Sequence, residues 1–185
     1  IMRQPDFGTA MVFVFFIALM LFVAGIEWKY VGYAILAGLA AIPLFLLKSG
    51  GYQMDRIFDF LHPERDPTGT GYQAIQGKIA IGSGKIFGRG LYNGEFTQNN
   101  FVPEKQTDYI FSVLVEELGF VGGIFLIFLY FVFLNRMVKI ARNTEDLFGS
   151  TMVTGFAAMF VVHIWENLGM TMGLMPITGI PLPFL

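Results

Sequence analysis

Asp108 is the residue in this chain best placed to do chemistry. It closes the polar stretch 101–107, and an apolar run begins at Tyr109. Glu116 and Glu117 follow inside that run, so carboxylates stand both at the mouth of an apolar segment and within it. Ionisable groups at membrane depth are costly and mark function by default. Glu104, Lys105, Gln106 and Thr107 lead into Asp108. They set charged and hydroxyl groups beside an apolar wall, where desolvation favours a proton-accepting carboxylate. The plainer role for Asp108 is a helix cap that complements the positive end of the dipole. Glu116 and Glu117 cannot share a helix face, because neighbouring positions diverge by about 100°. One of them turns to the bundle and meets a polar or basic partner, as a structural pair or as a functional group.

Two further patterns invite a chemical reading. Gly82, Gly84, Gly88, Gly90 and Gly94 surround Lys85 and Arg89. A phosphate loop of the GxxxxGK[ST] kind would need Gly at 79 and Ser or Thr at 86, where Ile79 and Ile86 stand. The dinucleotide pattern fails at Phe87 and Asn93. What remains is a flexible loop, or a backbone able to approach a lipid-linked substrate closely. His163 and Glu166 lie three apart and share a helix face. No further ligands appear at metal spacing, so the pair reads as helix packing, with Trp165 as an interfacial anchor.

The elements that position these groups follow from hydropathy. Of 185 residues, 55% are hydrophobic and only 14% charged, against roughly 25% charged in soluble domains. The excess is segmental: 7–26, 30–47, 109–134 and 150–164 are nearly free of charge. Each reaches or approaches the ~20 residues that span a bilayer. The expected fold class is therefore all-α, a polytopic helical membrane protein, with 1–185 as a single membrane domain. Helices are predicted at 8–26, 29–47, 109–134 and 150–172. Between the second and third lies a polar region, 48–108. Met54, Ile57, Phe58 and Leu61 have helical spacing, which predicts an interfacial amphipathic helix over 53–61. A second short helix is predicted over 71–81. Arg136, Lys139 and Arg142 place the short 135–149 loop in the cytoplasm and the 48–108 loop outside. The absence of cysteine excludes disulfides and thiol chemistry. No basic stripe points to nucleic acid. The chain starts without an initiator Met and both ends fall inside ordered motifs, so a fragment of a longer protein is expected.

The ordered set of motifs resembles the SEDS family (shape, elongation, division, sporulation). It runs from Gln4-Pro5-Asp6-x-Gly8-Thr9 through Gly71-Tyr72-Gln73, Gln76 and 78–84. Pro103-Glu104, Thr107-Asp108-x-Ile110-Phe111 and Glu116-Glu117-Leu118-Gly119 follow. Asn167-x-Gly169-Met170 and the Pro-x-Thr-Gly-Ile-Pro-Leu-Pro run from Pro176 to Pro183 complete it, and look more like the RodA type than the division paralogue FtsW. Gly77 and Tyr109 depart from the family pattern, which has Ser and Phe there.

The resemblance implies a ten-helix protein of the bacterial plasma membrane with 48–108 as its large extracellular loop. It implies a peptidoglycan glycosyltransferase that polymerises lipid II during elongation and rod-shape maintenance. Implied partners are a class B penicillin-binding protein and other elongation-complex membrane proteins. The family's essential loop aspartate falls on Asp108. Asp108 is then the candidate base, or a ligand to a supporting magnesium or manganese ion. Lys78, Lys85, Arg89 and Lys105, with Glu104 and Thr107, become candidates for binding the substrate. The N-terminal helices and a Ser-Tyr-Gly-Gly segment expected after Leu185 are not in this sequence, so the fragment alone is expected to be inactive. Two rival classes stand beside this one. A lipid II flippase would use Glu116 or Glu117 as intramembrane polar groups, and a non-catalytic scaffold would bind a penicillin-binding protein through its helices.

Overall fold

The computed structural model describes residues 7–27, 29–30, 32–34, 36–38, 40, 58, 60–66 and 68–185. The described helices are α1 (Phe7–Val23), α2 (Thr70–Ser83), the single-turn α3 (Glu95–Gln98), α4 (Ile110–Asn143) and α5 (Leu147–Thr171), with a 3-10 turn at Pro63–Arg65. The predicted 29–47 and 53–61 helices fall largely outside the described residues.

Two helices, α4 and α5, are long and apolar enough to cross a membrane. Their most apolar windows are only 17% and 22% buried. Phe120, Phe125, Phe128 and Phe131 on α4 all face outward. A core helix of a soluble protein would hide such a surface, whereas hydrocarbon or neighbouring membrane helices can cover it. The chain turns between α4 and α5 at 144–146. Asp146 accepts from Gly149 N at 2.8 Å and caps α5. Ser150 Oγ donates to the Ala141 carbonyl at 2.8 Å, holding the two helices antiparallel. α1 packs along α5, with Met20 seated against Gly155.

Phe111, Val115, Tyr130, Ile164, Leu168 and Leu182 form the main buried cluster, between α4, α5 and the C-terminal strap 172–185. Tyr130 Oη donates to the Pro183 carbonyl at 2.6 Å and ties the strap to α4. Phe184 packs against Phe133 and Phe160. A smaller cluster of Ala80, Val102 and Tyr109, with Phe96 and Ile177, lies under the polar region.

α4 starts where the predicted 109–134 helix does and departs from it at its C-terminal end and its middle. It runs on to Asn143, so Arg136, Lys139 and Arg142 belong to the helix and not to a loop. They are exposed, and long basic side chains reach water from a helix end without breaking it. The apolar block therefore marked only part of the helix, not its length. In the middle, Gly119 has φ 74 and ψ −173 and splits α4 into 110–118 and 120–143. The second part rises roughly 36 Å at ~1.5 Å per residue, enough to cross ~30 Å of hydrocarbon by itself.

The break has a specific filler. In an unbroken helix the Phe120 and Val121 amides would donate to the Glu116 and Glu117 carbonyls. Here Phe120 N donates to Lys85 O at 2.9 Å and Val121 N to Ile86 O at 3.2 Å. The freed Glu116 and Glu117 carbonyls accept from Arg89 N and Gly90 N, each at 3.0 Å. The 85–90 segment thus inserts into two hydrogen bonds of the helix and replaces both. Irregular backbone in a membrane helix is tolerated where such partners exist. Glycine is required on both sides of the crossing. Gly88 and Gly119 have φ of 80 and 74, and a Cβ on either would run into backbone of the other segment. The glycine run is thereby a close-approach device whose target is this chain's own helix.

Candidate active site

Asp108 sits in a tight turn ahead of α4. The Glu104 carbonyl accepts from Thr107 N, Asp108 N and Tyr109 N at 3.2, 3.1 and 3.2 Å. Thr107 Oγ1 lies 3.4 Å from Glu104 Oε2. Lys105 reaches away from the turn, donating to Thr97 O at 2.6 Å and Asn100 Oδ1 at 2.8 Å. The turn is therefore anchored to α3.

The helix cap position is held by Tyr109, whose side chain makes no cap hydrogen bond. Asp108 stands one residue earlier and half-buried, beside the strap: a Cβ on Gly179 would lie 3.4 Å from Asp108 Oδ2. Burial pushes the Asp108 carboxyl above its ordinary range; the Thr107 hydrogen bond opposes this, and the Glu104 charge adds to it. Among these causes there is no stabilising bond from the helix N-terminus, which a capping carboxylate would show. The site holds a carboxylate made more basic than usual by its surroundings. Tyr109 is fully buried, and burial together with the Asp108 charge raises its phenol. Its ring lies on Gly77, where a Cβ would be 2.6 Å from Cδ1. Gly77 and Tyr109 therefore touch each other, and the ring fills the space a side chain at 77 would need.

The other candidates divide into free and committed groups. Lys78 is exposed, and its side chain lies against Gly173 of the strap that also borders Asp108. It lines a cleft with Thr70, Ala74, Met175 and Ile177. Lys85 is exposed on the segment that enters the helix break. Arg89 pairs with Glu95 and donates Nε to Ser83 O at 3.3 Å. Arg89 and Lys105 are thus held by the protein's own acceptors. Glu116 is the carboxylate that turns inward, fully buried. Its Oε1 accepts from Phe96 N at 2.9 Å and Ser83 Oγ at 3.2 Å, and its Oε2 accepts from Thr97 N at 3.0 Å. It fastens α3 and the end of α2 to α4. Glu117 is partly exposed, with Gln98 Nε2 at 3.4 Å. His163 hydrogen-bonds the Pro181 backbone, which places it in strap packing.

One participant escaped the sequence reading. Asn167 stands in an apolar helix and carries a motif position with no assigned role. Its side-chain nitrogen donates to Asp108 O at 2.9 Å and Ile180 O at 2.8 Å. An amide near the C-terminal end of an apolar helix was the only available signal.

Together these features define a polytopic helical membrane protein with a carboxylate at the mouth of a broken transmembrane helix, closed over by a C-terminal strap. Residues 1–185 match the Cell cycle protein family of FtsW, RodA and SpoVE, so the chain belongs to the SEDS family of multi-pass membrane proteins. It is 41% identical over 181 residues to the peptidoglycan glycosyltransferase MrdB of Escherichia coli K12, covering 97% of this chain and 49% of that protein. It is 43% identical over 186 residues to stage V sporulation protein E of Bacillus subtilis, covering 100% of this chain and 50% of that one. A solved structure on the coordination of polymerization and crosslinking by a peptidoglycan synthase complex matches with a TM-score of 0.74 and 31% identity, over 98% of this chain and 49% of that one. The chain spans about half the length of the relatives it matches.

Proposed function

We propose that the full-length protein is a peptidoglycan glycosyltransferase of the elongation (RodA) type, polymerising lipid II, and that Asp108 is its general base. The observation that carries this reading is the half-buried Asp108 carboxyl, raised by desolvation and by Glu104 and not spent on capping a helix. In chain growth a sugar 4-hydroxyl attacks an anomeric carbon. A carbon–oxygen bond forms there, the bond to the lipid diphosphate breaks, and the hydroxyl proton passes to Asp108. A weak hydroxyl nucleophile benefits from such a base. The leaving diphosphate needs positive charge. Lys78 and Lys85 supply it, since Arg89 and Lys105 are engaged with Glu95 and with Thr97 and Asn100.

A magnesium or manganese ion fits this donor set in one way. Among the described residues no group of three His, Asp or Glu side chains converges. Glu104 and Asp108 offer two hard oxygen donors, which suits an ion that takes its remaining ligands from water and phosphate. Bound there, it would add charge neutralisation at the diphosphate. The elongation assignment rests on Asn167-x-Gly169-Met170 and the Thr-Gly-Ile-Pro-Leu-Pro run from Thr178. A class B penicillin-binding protein and other elongation-complex membrane proteins are the proposed partners, in the bacterial plasma membrane with 48–108 on its outer face. A flippase reading would use Glu116 or Glu117 as an intramembrane polar group; the Glu116 carboxylate is occupied by three donors, which leaves Glu117 for that role.

Asp108→Asn tests the proposal. Asn keeps the size of Asp, and the Asp108 side chain caps no helix, so folding and partner binding should persist. Polymerisation of lipid II by the full-length protein should fall by roughly 100-fold or more, the scale of a lost general base. Normal polymerisation at normal expression would return Asp108 to a structural role.

A further inference from the structure

Asn167 is fully buried on α5, far in sequence from Asp108, yet it touches that residue's own backbone. Both atoms it faces are carbonyl oxygens, at 2.9 Å on Asp108 and 2.8 Å on Ile180. Carbonyls only accept, so the amide must present its nitrogen to them, and its two N–H groups are both used. Its Oδ1 is buried without a hydrogen-bond partner among the described residues. An orphaned acceptor costs stability and calls for an explanation. The orientation that costs this is also the one that joins three segments around a single carboxylate: the turn before α4, the C-terminal end of α5, and the strap at Gly179–Ile180. A Cβ on Gly179 would lie 3.4 Å from Asp108 Oδ2. Asn167 therefore fixes both the backbone that carries the carboxylate and the wall against which it rests.

We propose that Asn167 is a positioning residue for Asp108, setting the carboxylate's place against the strap through two amide hydrogen bonds. This rests on the reading of Asp108 as the base. Asn167 itself contacts no reacting atom. Its effect belongs in turnover and not in substrate affinity, because it acts on the geometry of proton transfer.

The test uses the full-length protein with its penicillin-binding partner and lipid II as the probe. Asn167→Asp is nearly isosteric, but it sets a carboxylate oxygen against two carbonyls. The expected result is a fall in kcat of roughly 100-fold, the scale of a displacement of about 1 Å, with KM little changed and partner co-purification intact. The double variant with Asp108→Asn should be no slower than Asp108→Asn alone, since residues acting as a unit are not additive. Wild-type turnover by Asn167→Asp, where Asp108→Asn is inactive, overturns the positioning role and leaves the base standing. Full additivity in the double variant also overturns it. Normal turnover by Asp108→Asn removes the base, and this inference with it. If Asn167→Asp fails to fold, Asn167→Ser, which is smaller and keeps one donor, carries the comparison: an intermediate kcat is expected, and a wild-type kcat overturns the proposal.

Discussion

Asp108 and Glu104 are two carboxylates in one turn, and their coupling has a sign that can be measured. Asp108 must be ionised to accept a proton, so activity is lost as pH falls through its pKa. Burial first, and then the Glu104 charge, hold that pKa above the ordinary value of 3.8, against the Thr107 hydrogen bond. Removing the Glu104 charge takes away one raising cause. Glu104→Gln should therefore move the acid limb of kcat/KM to lower pH. An unmoved or upward-shifted limb would show that Glu104 does not act on the group that titrates. The same sign governs stability. A carboxyl with a raised folded pKa binds its proton more tightly in the native state, so its contribution is present at low pH and is lost as pH rises through that pKa. Ionised Asp108 costs the fold something at neutral pH. Asp108 could be found from sequence because a lone Asp between a polar stretch and an apolar run is a local signal. Asn167 could not, because what makes it matter is a contact across 59 residues of chain. The inward turn of one of Glu116 and Glu117 follows from helical phase, but which one, and its two backbone donors on α3, depended on where α3 came to rest.

The break in α4 shows how far an element can be read from its own residues. Apolar length revealed α4 and α5. It did not reveal where α4 stops, since exposed basic residues continue it to Asn143. Nor did it reveal the break, because Glu116-Glu117-Leu118-Gly119-Phe120 reads locally as helix, and an isolated Gly is tolerated there. The cause of the break is non-local: the 85–90 segment offers Phe120 and Val121 other acceptors. The glycines that make this possible were visible, but their target was not. They are not equivalent, and substitution separates them. Gly88 has φ 80, and a Cβ there would strike the Glu117 carbonyl. Gly88→Ala should destabilise the protein by at least ~1–3 kcal/mol from backbone strain alone. Gly82 lies in α2 with open space around it, and Gly82→Ala should be neutral or stabilising by up to ~1 kcal/mol. Thermal unfolding in detergent compares the two. Equal effects would show that the crossing at Gly88 is not held as described.

At the scale of the whole molecule, α4 and α5 form a membrane hairpin whose turn at 144–146 lies at the opposite end from Asp108. The proposed placement of 48–108 on the outer face puts Asn99 and Asn143 on opposite sides of the membrane, and both are exposed. Cysteines introduced at these positions should differ: Asn99→Cys should react with an impermeant maleimide on intact cells, and Asn143→Cys only after permeabilisation. The reverse pattern would invert the protein and put Asp108 on the wrong side for cell-wall chemistry. The interrupted α4 also ties two distant parts of the chain into one unit. Phe120 and Val121 find their acceptors on the 85–90 segment, and that segment finds its own on Glu116 and Glu117. Each side of the crossing supplies what the other lacks, so the bonds given up by the helix are matched by bonds gained from the loop. A change that displaces the 85–90 segment is therefore felt in the helix as four backbone groups left without partners.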